Sequence, residues 1–479
     1  MPKFVFLWTD VAIWVLVVTL VLYGVYVVRS PGLARNWRRV FGDAAAMASS
    51  VVLLLCLLVT LLDSVHYRRA LSSAPSSPNA AVAYDVRAIS LLDAAMSRQV
   101  ESREASYSRP LAYLGFLKES IEVRGKVERL APRLLHGGAH LQDPETQWLN
   151  DIVLRAVGGA AAGLAATVVL VALLMAALAR HRKENWVATW QSTVRGEGVI
   201  PWHVTVWTVT VLSIVIGVAM ALMTEYHVFG TDRTGNDVLY QALKSIRTAF
   251  VIGTLATVAT LPLAVVLGIM AGYFKGWVDE AIQYLYTVLS SVPNVLLIAA
   301  CVLMVQVFLD KHPELFETGV ERADLKLFLL CLVLGLTGWA GLCRLLRGET
   351  LKLRELEYVQ AATAFGVSHA RIMVRHIFPN VAHLMLIVTV LEFSALILYE
   401  AVLSYVGVGV DPSMNSFGGM INLARNEMSL DPVVWWSFAA AFGFMVTLVL
   451  AANLFADGVR DAFDPRASSF RVRLKRAAS

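Results

Sequence analysis

The chain has 479 residues, 57% of them hydrophobic and only 16% charged, with a mean hydropathy of +0.63. That balance excludes an ordinary soluble domain and points to an all-α polytopic membrane protein. The net charge of +5 says little about partners; the distribution of the charges says more.

Apolar runs of about 20 residues, enough to cross ~30 Å of hydrocarbon, recur along the chain. Nine can be read, at 5–28, 43–62, 152–179, 204–223, 250–272, 285–309, 327–343, 382–406 and 433–456. The first is too long for a signal-peptide core and lacks an Ala-x-Ala cleavage site, so it reads as a retained helix. Cys56, Cys301, Cys331 and Cys343 all fall inside apolar runs and read as small hydrophobes, not as disulfide or metal ligands.

Residues 1–199 form an N-terminal module: two spans, an external segment of about 63–151, and a third span. The external segment opens on a turn-rich stretch, Ser72–Pro78. Asp85–Val100 then carries Val86, Ile89, Leu92 (or Leu91), Met96 and Val100 at helical spacing. Pro110–Leu135 repeats the pattern with Leu114, Leu117, Ile121 and Leu130. Both predict amphipathic helices, either a helical cap on the membrane surface or a site for substrate or partner. Acidic and basic residues nearly balance there, which argues against nucleic acid.

Residues 200–466 hold the remaining six spans, and 467–479 form a basic tail. Arg29, Arg35, Arg38 and Arg39 follow the first run; Arg180, Arg182 and Lys183 follow the third. Arg344, Arg347, Lys352, Arg354, Arg371 and Arg375 lie between the seventh and eighth, and Arg460 to Arg476 close the chain. With nine spans all four clusters share one side, so the N-terminus is expected outside and the C-terminus in the cytoplasm.

Between the seventh and eighth runs lies a polar insert, Glu357–Asn380. Glu357–Phe365 predicts a short helix kept thin by Ala361, Ala362 and Ala364. Gly366 supplies a side-chain-free turn, and Ser368 is placed to cap a second helix through Phe378. Pro379 is expected to stop that helix before the next span. Arg371, Arg375 and His376 offer charged anchors. The alternative is a solvated cytoplasmic loop. Elsewhere no Gly-x-x-x-x-Gly-Lys-Ser/Thr, His-Glu-x-x-His, Cys-x-x-Cys or Gly-x-Ser-x-Gly occurs, so nothing supports an enzyme, and no metal site is expected.

The insert resembles the coupling-loop signature of ABC importer permeases: Gln360-Ala361-Ala362, then Gly366, then Phe378-Pro379, with Gln360 where that pattern has Glu. Three further segments resemble the dipeptide/oligopeptide (and nickel) subgroup, in order: Phe229–Leu239, Tyr399–Gly409 and Asn453–Pro465. Asn236 stands where the subgroup usually has Arg. The resemblance covers about 200–466 and leaves 1–199 without a counterpart. It implies a six-helix type I permease core in a bacterial inner membrane, without a cofactor of its own. It also implies ATP and Mg used by two partner ATPase subunits, a second permease and an external substrate-binding protein. The loop residues Glu357, Tyr358, Gln360, Ala361, Ala362, Gly366, Ser368, Arg371, Arg375, His376, Pro379 and Asn380 would meet an ATPase subunit. Peptide is the default cargo, nickel or another small solute the alternative. A scaffold or receptor that has lost transport is the reading from a different class.

Asp232 and Asp237, with Gly230, Thr231 and Gly235, predict a turn and a helix N-cap over Val238–Arg247, or else an outer gate. Glu392 and Glu400 lie eight residues apart on the eighth run. Glu400 suggests a structural hydrogen bond, and Glu392 either packing or a place in the pathway. Pro262 and Pro293 are expected to kink their helices.

Overall fold

The computed structural model describes residues 3–70, 84–85, 87–123, 126–183, 185–316 and 318–463. The turn-rich stretch Ser72–Pro78 and the tail 467–479 lie outside the described residues, as does the end of Asn453–Pro465.

Strand β1 (Lys3–Val5) leads into α1 (Trp8–Arg29), and Pro31 opens the short α2 (Pro31–Val40). Asp43 caps α3 (Ala44–Asp63), its carboxylate accepting from Ala46 N at 2.9 Å. Outside the spans, β2 (His66–Arg68) pairs antiparallel with β1, Phe4 facing Tyr67, and with β3 (Ile89–Ser90). A Ser90/Asp93 capping box starts α4 (Leu91–Ala95), followed by α5 (Ser97–Glu101). Strands β4 (Glu119–Val123) and β5 (Lys126–Leu130) form a hairpin with Glu119 opposite Leu130.

The external segment is therefore mixed, not helical as expected. Within Pro110–Leu135, Glu119–Val123 and Lys126–Leu130 form paired strands instead of a helix. β-branched residues favour extended backbone, and the partner strand, three to eleven residues away along the chain, satisfies it. In Asp85–Val100 the helix begins only at Leu91, because Ile89 is taken by pairing with Tyr67.

Next come α6 (Pro144–Arg182), α7 (Trp186–Val194) and α8 (Trp202–Leu222). Then α9 (Val238–Phe274), α10 (Gly276–Ser291), α11 (Asn294–Lys311), α12 (Gly319–Gly338) and α13 (Ala340–Arg354). The polar insert supplies α14 (Glu357–Ala364) and α15 (His369–Ile372). A π-helical turn (Met373–Ile377) leads into α16 (Phe378–Val406), followed by α17 (Phe417–Glu427) and α18 (Trp436–Phe463). Among the described residues eight helices are long and apolar enough to cross a membrane, and the pair α12/α13, bent by 40°, makes a ninth when counted as one span.

Three proline- or cap-based expectations change. Asp237 caps not a short helix but the whole of α9, which runs unbroken through Pro262 to Phe274. Pro293 ends one helix and starts another instead of kinking one. Pro379 does not stop the helix: it occupies the first turn of α16, where its missing N–H is tolerated, and the π turn before it absorbs the mismatch.

Helix α9 is the central element, packed on α12, α13, α16 and α3. Its inner half joins Leu342, Leu346, Ile372 and Ile377 in one buried cluster. Its outer half joins Ile298, Leu327, Leu330 and Leu403 in another, to which α1 contributes Ile13. Helix α3 packs on α18, with Ala46 against Gly458, so the N-terminal module shares the core of the six-helix part. Helix α6 is held mainly by α8, through Gly159, Gly163 and Gly217; a Cβ on Gly163 would sit 2.3 Å from Ser213 O. Gly163→Leu is accordingly expected to separate these two helices and cost ~1–3 kcal/mol, the usual overpacking range. Thermal unfolding of the detergent-solubilised chain would read this as a lower midpoint.

Candidate functional site

The polar insert forms a helix–turn–helix at the Tyr273 end of α9, termed the inner end, opposite the turn Phe229–Leu239. Val359 is buried beneath α14, while Phe365 at its end is 88% exposed. Gly366 has φ +76°, a left-handed backbone that L side chains resist, and open space around its Cα. Ala361 and Ala364 are exposed and Ala362 half-buried, so α14 presents a thin outer side ending in one prominent ring. Ser368 precedes α15 as expected, but its hydroxyl makes no capping bond.

Contacts to neighbouring helices fix this unit. His369 Nδ1 lies 2.8 Å from the Tyr273 hydroxyl at the inner end of α9, and Arg354 donates to Tyr273 O at 2.6 Å. Lys275 pairs with Glu355 at 2.8 Å, and Arg347 grips Asp279 through two bonds of 2.5 and 2.7 Å. Ile372 and Ile377 are fully buried, anchoring the second arm. Asn380 Nδ2 donates to His376 O at 2.6 Å and to the Tyr358 hydroxyl at 3.2 Å, tying the two arms together. Gln360 donates to Glu355 O at 3.2 Å. Glu357, Arg371 and Arg375 are exposed, and the two arginines form no ion pair among the described residues. The unit is thus a rigid ledge with a free apolar tip and a free basic side.

At the outer end, Phe229–Leu239 folds as a tight turn. Asp232 Oδ1 accepts from Thr234 N and Asn236 N at 2.8 and 2.9 Å, and Asp237 Oδ1 accepts from Tyr240 N at 2.9 Å. The external segment covers this turn. Ser108 bridges Thr231, Glu104 N donates to Gly235 O at 3.0 Å, and Arg103 Nε donates to Thr234 O at 2.7 Å. A Cβ on Gly230 would lie 2.3 Å from Ser108 O, and one on Gly235 1.8 Å from Glu104 O. Thr231 and Asp237 are completely enclosed.

Glu400 is buried where α17 crosses α16 at Gly418, and it accepts from Ser404 Oγ at 2.6 Å. Glu392, two turns earlier, is half-buried. Among the described residues no three His, Cys, Asp or Glu side chains converge as a metal site.

Sequence reasoning missed two charged clusters at the outer end. In one, Arg247 Nη2 donates to Asp10 Oδ1 at 2.6 Å and to Thr9 Oγ1 at 2.9 Å, and lies 3.5 Å from Asp324. Asp10 also meets His66 Nδ1 at 2.8 Å. In the other, Lys244 pairs with Asp93 at 2.8 Å and Asp63 at 3.3 Å. Only Asp10 stood inside an apolar run, where a charge must find its partner within the protein; the other members lie beyond the run ends and carried no such signal.

A third cluster joins the external segment to the turn. His227 Nδ1 lies 2.8 Å from Asp237 and Nε2 3.5 Å from Glu104. Glu104 accepts from Leu135 N, His136 N and Gly137 N at 2.8 to 3.0 Å. Burial opposes charge on His227, yet Asp237 and Glu104 raise its pKa from the ordinary 6.5 to about 9. Burial likewise opposes charge on Glu104, yet His227 and the three N–H donors hold its pKa at about 2, below the ordinary 4.5. The histidine's contribution to stability is complete below pH 6.5 and lost as pH rises through about 9; the carboxylate's is complete above pH 4.5 and lost as pH falls through about 2. Amide exchange at Leu111 and Leu135–Gly138 should therefore accelerate beyond its intrinsic rate as pH passes about 9. His227→Gln, which cannot carry the charge, should remove that step.

A family model described as "Binding-protein-dependent transport system inner membrane component" matches residues 264–469. The chain is 34% identical over 245 residues to the oligopeptide transport system permease protein OppC of Mycobacterium tuberculosis, covering 51% of this chain and 78% of that protein. It is 32% identical to OppC of Haemophilus influenzae, covering 52% and 73%, and 30% identical to the dipeptide permease DppC of Lactococcus lactis, covering 51% and 65%. A solved chain of the MetNI methionine ABC transporter aligns with 46% of this chain and 93% of its own, at a TM-score of 0.33 and 16% identity, too loosely to transfer residue roles.

Proposed function

This chain belongs to the permease subunits of binding-protein-dependent ABC importers, and on that premise we propose that it carries peptides and is driven through the ledge 357–380. The peptide cargo follows from the oligopeptide and dipeptide permeases to which it is similar. We read residues 200–466 as half of the pathway, paired with a second permease. ATP and Mg are used by two ATPase subunits on the cytoplasmic side, and an external binding protein delivers the cargo. We read residues 1–199 as a module added to this core, with the N-terminus outside and the C-terminus in the cytoplasm, the side to which the Lys and Arg clusters point.

The observation that carries the coupling reading is the exposed tip Phe365–Gly366 on a ledge otherwise anchored in the core. An apolar ring beside a side-chain-free turn fits a groove in another protein. The links from His369 to Tyr273 and from Arg354 to Tyr273 O then give a docked subunit a mechanical hold on α9. Rigid-body movement of the ledge would switch the pathway between its inward- and outward-facing states.

Gly366→Trp adds both bulk and a strained φ at the tip. It should abolish uptake of labelled peptide by cells while leaving the amount of membrane-inserted chain unchanged. Recovery of ATPase subunits with the tagged wild-type chain, and their loss from the variant, would accompany this. Undiminished uptake by Gly366→Trp would refute docking through this loop.

A further inference from the structure

Two short helices of the N-terminal module, α2 and α7, take no part in the ledge or the outer turn. Helix α2 packs on the end of α18, which starts beside the outer turn, where Trp436 donates to Thr231 O at 3.0 Å. Helix α7 follows α6, which starts near Tyr226, whose hydroxyl donates to Asp151 at 2.9 Å. Both therefore lie at the inner end. They are also neighbours: a Cβ on Gly42, just after α2, would sit 3.0 Å from Val199 O, just after α7.

Helix α2 has two unlike sides. Leu33, Trp37 and Val40, at helical spacing, pack with Val459 and Phe463 in one cluster. Trp37 stacks on Phe455 and donates through Nε1 to the Tyr23 hydroxyl of α1 at 3.2 Å. The apolar side is thus taken up by protein. The other side carries Arg35, Arg38 and Arg39, with Arg29 at the end of α1. All four are exposed, and none forms an ion pair among the described residues. Residues 29–42 contain no Asp or Glu. Like charges one turn apart repel, and an anion from outside the chain would relieve them. Helix α7 is inverted. Thr189 and Thr193 are buried on the side packed on α6 and α8, while Trp186, Val187, Trp190 and Val194 are exposed. The two hydroxyls bond back to carbonyls of their own helix turn at 3.2 and 2.8 Å, so they need no water. An outward apolar stripe with two indoles, at the end of a spanning helix, suits the headgroup level of a bilayer. Arg180 and Lys183, exposed just before α7, add positive charge beside it.

We propose that α2 and α7 form a rim that selects anionic phospholipid. The arginines of α2 hold headgroup phosphate, and the indoles of α7 lie among the headgroups and upper acyl chains of the same leaflet. The occupant is a lipid because the charge and the outward apolar stripe sit together at the ends of the spanning helices α1 and α6, the depth at which phosphate meets hydrocarbon. The inference rests on the membrane reading, and on neither the cargo nor the coupling loop. Because α2 is held on α18, bound lipid would brace the module against the core at the inner end.

The test is native mass spectrometry of the full-length chain, released from detergent micelles that carry phosphatidylglycerol or phosphatidylcholine at equal concentration. The chain is expected to retain phosphatidylglycerol about tenfold more tightly. Combined Arg35→Gln, Arg38→Gln and Arg39→Gln should bring the two lipids to equal affinity, and each single substitution should lower the preference part-way. All three side chains are exposed, so the thermal midpoint in detergent should stay unchanged. Arg371→Gln with Arg375→Gln, on the ledge, should leave the preference intact. Trp186→Ser with Trp190→Ser should weaken both lipids alike and keep the preference. Glycerol phosphate, which has the phosphate but no acyl chain, should not displace the lipid. Equal retention of the two lipids by the wild-type chain, or full preference in the arginine variants, would overturn the proposal. So would displacement by glycerol phosphate, or a lipid-independent pair of copies that the tryptophan substitutions dissociate. Peptide uptake is read separately, so failure of this rim leaves the transport reading standing, and loss of the transport reading leaves the rim testable.

Discussion

Arg247 sets the arrangement of the outer half of the molecule. It lies within α9, almost without solvent, where an unpaired guanidinium would be prohibitively costly. Its partners come from two other helices, Asp10 on α1 and Asp324 on α12. Three elements must therefore meet at one point, and Asp10 brings the N-terminal module into that meeting. Lys244, one turn earlier, repeats the constraint with Asp63 at the end of α3 and Asp93 in α4. The module is thus fastened to the core by charges with no alternative solvent, as well as by the apolar contacts of Ile13 and Ala46.

From that fixed outer end α9, 37 residues long in all, continues without a break to Tyr273, where it holds the ledge. Gly268 and Gly272 let α13 approach the inner half closely, at Cys343, Leu346, Arg347 and Thr350. The helix continues through Pro262, so both anchored ends belong to one element. Helix breaks fall at Pro293, between α10 and α11, and at Trp339, where α12 and α13 are bent by 40°.

The external segment changes the meaning of the outer turn. Thr231, Gly235 and Asp237 would read as an accessible surface in an isolated six-helix core, but here Glu104 and Ser108 lie against them at backbone distance. Phe116 stacks edge-on against Trp436, whose indole donates to Thr231 O. This turn is therefore covered by the module instead of lying bare.

The sequence by itself determined the membrane class, the nine apolar runs and the helix–Gly–helix insert. These depend on composition and short-range geometry: about 20 apolar residues can cross hydrocarbon whatever their neighbours, and Gly366 marks a left-handed turn from its type alone. The caps at Asp237 and Ser90 are local in the same sense, although only Asp237 was read from sequence. Tertiary structure decided the rest. The apolar residues of Pro110–Leu135 fit a helix or a strand, and only pairing of β4 with β5 chose the hairpin. The fate of Pro379 turned on whether a π turn could precede it. The partners of Arg247 lie 237 and 77 positions away, a separation over which no periodicity carries information. A buried charge declares in the sequence that it needs a partner, but which one it finds is settled by packing.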